Sequence, residues 1–103
     1  MSKKANPDIK QLRAIGHKLK PVVTIAGKGL TEGVIAELDR ALTDHELIKV
    51  KLAVGSREVR AELAREISAQ SKAEIVQSIG SVILLLRRSP TPDPRLSNLI
   101  KPL

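Results

Sequence analysis

"VVTIAGKGLTEGVIAELDRALTDHELIKVKL", residues 22–52, changes period twice within one run. The β-branched "VVTI" predicts a strand over residues 22–25. Two glycines flanking Lys28 then turn the chain, and Thr31 stands as N-cap with Glu32 in the first helical turn. Val34, Ile35, Leu38, Ala41 and Leu42 recur at helical spacing to about Asp44. "ELIKVKLAV" alternates, with Ile48, Val50 and Leu52 on one face and Lys49 and Lys51 on the other, which predicts a half-buried strand with a basic outer face. Two strands joined through a helix pair in parallel by a right-handed crossover, and this selects a layered sheet-and-helix domain.

Upstream, Asn6, Pro7 and Asp8 read as N-cap, first helical position and an acid matched to the helix dipole. Ile9, Leu12 and Ile15 form the apolar stripe of a first helix over about residues 7–19, stopped by Gly16 and by Pro21. Downstream, Gly55 breaks the strand and Ser56 caps a third helix with the stripe Val59, Leu63, Ala64 and Ile67, closing near residues 70–72. "AEIVQSIGSVILLLRR" then predicts strands over 74–79 and 82–87, joined by a tight turn at Gly80 and Ser81. "VILLL" lacks alternation, as expected of a central strand covered on both faces. The order is α-β-α-β-α-β-β: a two-layer α+β fold with a four-stranded mixed sheet, whose strand 22–25 is an edge open to another chain. From Ser89 onward four prolines fall among fifteen residues, so an extended or disordered tail, free to lie along the body, is expected to follow the domain.

The chain has 103 residues, enough for one domain with one modest core. Its apolar residues make up 42% and are all aliphatic, without Phe, Trp or Tyr. With no cysteine and two histidines far apart, neither disulfides nor a metal centre is expected, and no cofactor motif is present. "MSKKANPDIK" has no apolar leader and no segment reaches the roughly 18 apolar residues of a spanning helix, so a cytoplasmic location without membrane association is expected. Net charge is +7 and is segregated. Residues 1–30 hold seven Lys or Arg against one acid, 31–46 hold one against five, and 47–88 hold eight against four. A basic surface of this kind attracts polyanions by counterion release.

Three readings compete for the glycine corner: a nucleotide site, a plain turn and a polyanion contact. A dinucleotide fingerprint needs glycine three residues after Gly29, where Glu32 stands, and Gly33 comes one residue late. A phosphate-binding P-loop fails because no Gly-Lys-Ser/Thr follows at the required spacing. A plain turn explains the glycines alone, yet Lys28 stands beside a helix N-terminus, where an anion is already favoured. "HKLKP" adds His17, Lys18 and Lys20, which with Lys28 are expected to converge on one edge, while Lys49 and Lys51 extend the same sign across an exposed sheet face.

"LKPVV", "GLTEGV" and "HELIKVK" together resemble the YhbY family of bacterial RNA-binding proteins, the single-domain form of the CRM (chloroplast RNA splicing and ribosome maturation) domain. The resemblance covers about residues 9–88 and implies a division into an RNA-binding domain, 1–88, and a proline-rich tail, 89–103. It implies a fold similar to the C-terminal domain of translation initiation factor three. It further implies RNA contact through a Gly-x-x-Gly loop, and association with ribosomal RNA in precursors of the large subunit. That loop falls on Ala26, Gly27, Lys28 and Gly29, with alanine replacing the first glycine.

The missing rings exclude the usual aromatic platform for unpaired bases, so phosphate and sugar contacts are expected to dominate, supplemented by arginine planes such as Arg57, Arg60, Arg87 and Arg88. His45, between Asp44 and Glu46, lacks the partners of a catalyst, and no nucleophile-base pair or paired carboxylates stand out, so no enzyme and no small-molecule substrate are expected. The expected RNA-binding residues are Lys18, Lys20, Ala26, Gly27, Lys28, Gly29, Lys49, Lys51, Arg57 and Arg60. A protein adaptor docking a partner through the acidic second helix or the tail is the alternative.

Overall fold

The structure, a computed structural model, describes residues 7–99. Its elements follow the predicted order: α1 (Ile9–His17), β1 (Pro21–Ile25), α2 (Glu32–His45), β2 (Leu47–Leu52), α3 (Arg57–Ser71), β3 (Glu74–Ile79) and β4 (Val82–Leu86). Spatial order in the sheet is β1-β2-β4-β3. β1 pairs with β2 in parallel, and β4 is antiparallel to both β2 and β3. β3 therefore runs the same way as β1 and β2, and the C-terminal ends of all three lie at one end of the sheet.

"VILLL" takes the predicted interior position. Ile83 and Leu85 join Val23, Ile25, Ile48, Val50 and Leu52 in a core closed by Leu38 and Leu42 of α2 and by Leu63 and Ile67 of α3. On the other face Leu84 and Leu86 pack with Leu47, Val76 and Leu12 of α1. The layers predicted from the sequence thus carry a partial third, because α1 covers one half of the second face. Each buried aliphatic side chain contributes about 1.5–3 kcal/mol, which is how a core without rings suffices.

Helix α1 starts two residues later than its composition suggests. Asp8, rather than Asn6, is the N-cap: its carboxylate accepts the Gln11 N–H at 2.8 Å, and the Gln11 side chain accepts the Asp8 N–H at 2.9 Å. This reciprocal box satisfies two donors that a start at Pro7 leaves open. Asn6 lies outside the described residues. Gly16, expected as a stop signal, is a point of close approach, since a Cβ there would stand 2.5 Å from Leu84 Cδ2.

As far as Leu99 the proline-rich segment lies along the body, and what the sequence did not show is how it is held there. Glu46, fully buried and held at φ 63°, is the anchor. Its carboxylate accepts the Ser89 N–H at 2.5 Å and the Ser97 hydroxyl at 2.6 Å, and its carbonyl accepts the Arg87 N–H at 2.8 Å. Asn98 donates its side-chain amide to the Leu47 carbonyl at 2.7 Å and its N–H to the His45 carbonyl at 2.9 Å. Leu99 then enters the core under α1. Prolines lower the entropy cost of ordering such a segment, and the buried Glu46 side chain accepts two of its donors at once.

Replacing Ser97 with alanine leaves one Glu46 oxygen without its hydroxyl donor, and a loss of about 1.5–3 kcal/mol is expected in urea unfolding. Gly16→Ala forces the new methyl into Leu84 and is expected to cost about 1–3 kcal/mol in the same measurement.

Candidate nucleic-acid interface

Residues 26–29 form a tight turn closed by the Gly29 N–H donating to the Ala26 carbonyl at 2.9 Å, with Lys28 exposed at its tip. Only Gly29 in this corner needs the left-handed region, at φ 70°. Neither Ala26 nor Gly27 has a positive φ, so alanine at the first position of the loop is accommodated without strain. A Cβ added at Gly27 or at Gly29 would meet nothing within 4 Å. The space over the backbone is therefore open, and a bulky ligand can approach it. Thr31 caps α2 by accepting the Val34 N–H at 3.2 Å, which aims the helix start and its partial positive charge at the same corner.

Other chain reversals meet here because the parallel strands end together. The Ala53 N–H donates to the Ile25 carbonyl at 2.7 Å, and the Leu52 N–H to the Ser81 carbonyl at 2.6 Å. These bonds seat the loop before α3 and the Gly80–Ser81 turn beside the glycine corner. Ser56 caps α3, and the Arg60 guanidinium donates to the Gly55 carbonyl at 3.0 Å. Arg57 and Arg60 line a polar cleft of about 300 Å³ with Leu52, Ser78 and Gly80. Lys28, Lys51, Arg57 and Arg60 thus stand at one end against Glu32 and Glu58, the acids of the two first turns. Both starts point the same way.

The remaining lysines do not gather at that corner. Lys18 and Lys20 precede β1 while Lys28 follows it, and the five-residue strand between them spans about 16 Å. Register places Lys49 beside Pro21 and Lys51 beside Thr24. On the α1 side of the sheet Lys49 and Lys51 stand about 7 Å apart, and the cations form a track along the chain ends, with Lys18 and Lys20 before β1 and Lys28 beyond its end. The expected convergence is an extended line.

Two arginine expectations separate. Arg57 is exposed, whereas Arg87 is a staple: its guanidinium donates to Asp39 Oδ1 at 2.9 Å, the Ser71 carbonyl at 2.9 Å, the Asp39 carbonyl at 3.0 Å and Thr43 Oγ1 at 2.9 Å. It is unavailable for stacking, and it occupies one acid of the second helix that an adaptor would present. Gln77 was not singled out as a contact, yet with His17, which was expected on the basic edge, it borders an opening on the α1 side. A bulge, invisible to period-2 reasoning, turned Gln77 to that face. No group of three or more metal-ligating side chains occurs among the described residues, and no described helix is long and apolar enough to cross a membrane.

Residues 5–87 match the CRS1 / YhbY (CRM) domain. The chain is 57% identical over 90 residues to a Pseudomonas aeruginosa protein named "Probable RNA-binding protein", covering 87% of this chain and 86% of that one. It is 47% identical over 78 residues to an RNA-binding protein of Haemophilus influenzae, covering 76% and 79%. Among solved structures, the solution structure of a hypothetical protein from Staphylococcus aureus is similar with a TM-score of 0.71 at 34% identity, covering 81% of this chain and 86% of that one.

The two glycines of the corner should respond differently to alanine. Gly29→Ala forces a side chain into the left-handed region and is expected to cost about 1–2 kcal/mol. Gly27→Ala is expected to stay within about 0.5 kcal/mol of the parent in thermal unfolding, because its methyl enters open space.

Proposed function

The chain belongs to the CRS1 / YhbY (CRM) domain family, and from that premise we propose that it is an RNA-binding protein whose target is ribosomal RNA in precursors of the large ribosomal subunit. The observation that carries this reading is the unobstructed backbone over Gly27 and Gly29, set beside Lys28 at an end of the sheet where two helix N-termini converge. A sugar-phosphate backbone is a ligand that needs both features: close approach to main-chain N–H groups and a cation nearby. The names of the relatives support the partner class.

In this mechanism the lysine track draws RNA to the surface and releases its counterions. The corner then fixes the register, with Gly27 and Gly29 allowing a phosphate to reach the backbone while Lys28 neutralises it. Arg57 and Arg60 extend the contact around the end of the sheet. Recognition is of RNA shape and backbone rather than base sequence, since no aromatic ring exists to form a stacking sheet. The protein acts by binding, in the cytoplasm where its target is assembled, without a reaction, cofactor or small-molecule substrate.

Lys28→Glu is expected to weaken binding to a structured fragment of large-subunit RNA about equally across sequences and to reduce the slope of log affinity against log salt by about one. Unchanged affinity and slope would reduce the corner to a turn. In sucrose gradients of a gentle lysate, the protein is expected to travel with large-subunit precursors at low salt and to be stripped at high salt. Residence at the top of the gradient at low salt would remove the ribosomal target.

A further inference from the structure

The register of the sheet shows what lies in the opening beside α1. Lys49 of β2, Leu84 of β4 and Gln77 of β3 form one row across the α1-facing side, and Lys51, Val82 and Ile79 form the next. The row before them, Leu47 with Leu86, is roofed by Leu12 of α1. Since α1 ends at His17, the roof stops there, leaving a notch of about 250 Å³ between His17, Lys49, Gln77, Ile79, Val82 and Leu84.

Gln77 reaches this notch through a specific device. Ile75 pairs with Leu85 and Gln77 with Leu84, so Val76 is an extra residue in β3. Both Val76 and Gln77 consequently face the α1 side: Val76 packs beneath the helix and Gln77 points into the opening. Strict alternation would have sent Gln77 into the α2–α3 core. Bulges that re-aim one side chain occur preferentially beside functional sites. The Gln77 amide, the His17 ring and the Lys49 ammonium all lack hydrogen-bond partners among the described residues.

We propose that this notch holds a single unpaired nucleobase of the bound RNA, an inference that rests on the RNA-binding reading above. Its volume falls below the roughly 300–1,000 Å³ of drug-sized sites and suits one planar ring system. Val82 and Ile79 supply an apolar floor and lip beside the buried Leu84, and Ile79 is 64% exposed at the edge strand. The Gln77 amide offers a donor and an acceptor together, which a base edge meets with its own pair. His17 is the flat ring available for stacking in a chain without Phe, Tyr or Trp. Lys49 lies in the notch and Lys51 in the next row, where the flanking phosphates pass; Glu74, one row away on β3, is the nearby acid. An apolar peptide in the same place would cover the Lys49 ammonium without neutralising it.

The test compares two short hairpin RNAs whose stems are closed by a non-nucleotide linker, one fully paired and one carrying a single bulged 2-aminopurine, bound to the full chain at low salt. The parent is expected to prefer the bulged hairpin and to change the 2-aminopurine emission on binding. Gln77→Leu, which keeps the shape but removes the amide, is expected to weaken the bulged hairpin about fivefold while leaving the paired one unchanged. Ile79→Ala, at an exposed position that does not threaten folding, is expected to act in the same sense. Equal affinity of the parent for both hairpins, or a preference that survives both substitutions, would overturn the base subsite while leaving the backbone contact of Lys28 intact. If neither hairpin binds the parent, the RNA reading fails and the notch fails with it.

Discussion

Strand β4 runs against three strands that run together, and its four residues Ile83 to Leu86 are buried on both faces. That insertion is the constraint on which the rest depends. Because β4 separates β2 from β3 and opposes both, β1, β2 and β3 share one direction and their C-terminal ends emerge side by side. Open sheets of this kind collect ligand contacts beyond the carboxyl ends of their parallel strands, where helix N-termini begin. The glycine corner and the start of α3 meet there because β1 and β2 pair in parallel, and the Ala53 N–H to Ile25 carbonyl bond holds their ends together.

The same strand sets the two sides of the sheet apart. Ile83 and Leu85 hold α2 and α3 against one face, where two helices leave little sheet uncovered. Leu84 and Leu86 hold only α1 and the clamped segment near Leu99 against the other, so half of that face stays accessible and carries Lys49 and Lys51. Gly16 lets α1 sit directly on Leu84, which keeps the helix low. The result is a small domain in which one side of the sheet is given to the core and the other is shared between α1 and an accessible cationic surface.

Much of this was legible in the primary structure, for reasons that differ by element. The alternation of Ile48, Val50 and Leu52 against Lys49 and Lys51, and the unbroken "VILLL", are direct imprints of burial on one face and on two. Thr31 and Ser56 announced the starts of α2 and α3 because short-range capping needs only a few neighbouring residues. Glu46 was not recognisable as an anchor, since its partner Ser97 is 51 residues away and proline-rich composition has no period. Alternation carried no signal for it, because Glu46 caps α2 at φ 63° and stands outside β2. The bulge that turns Gln77, and the choice of Asp8 over Asn6 as cap, depend on neighbours that a period does not encode. At the corner the glycines were visible, but the separate roles of Gly27 and Gly29 required backbone angles.

The central claim is that RNA runs over the glycine corner and along the lysine track, and the most direct measurement is ultraviolet crosslinking in cells followed by identification of both the RNA and the attached peptides. The account predicts adducts on peptides containing Lys28 and on those containing Lys49 and Lys51, with large-subunit ribosomal RNA as the partner. Adducts confined to α2, or recovery of the protein without crosslinked RNA, would contradict it.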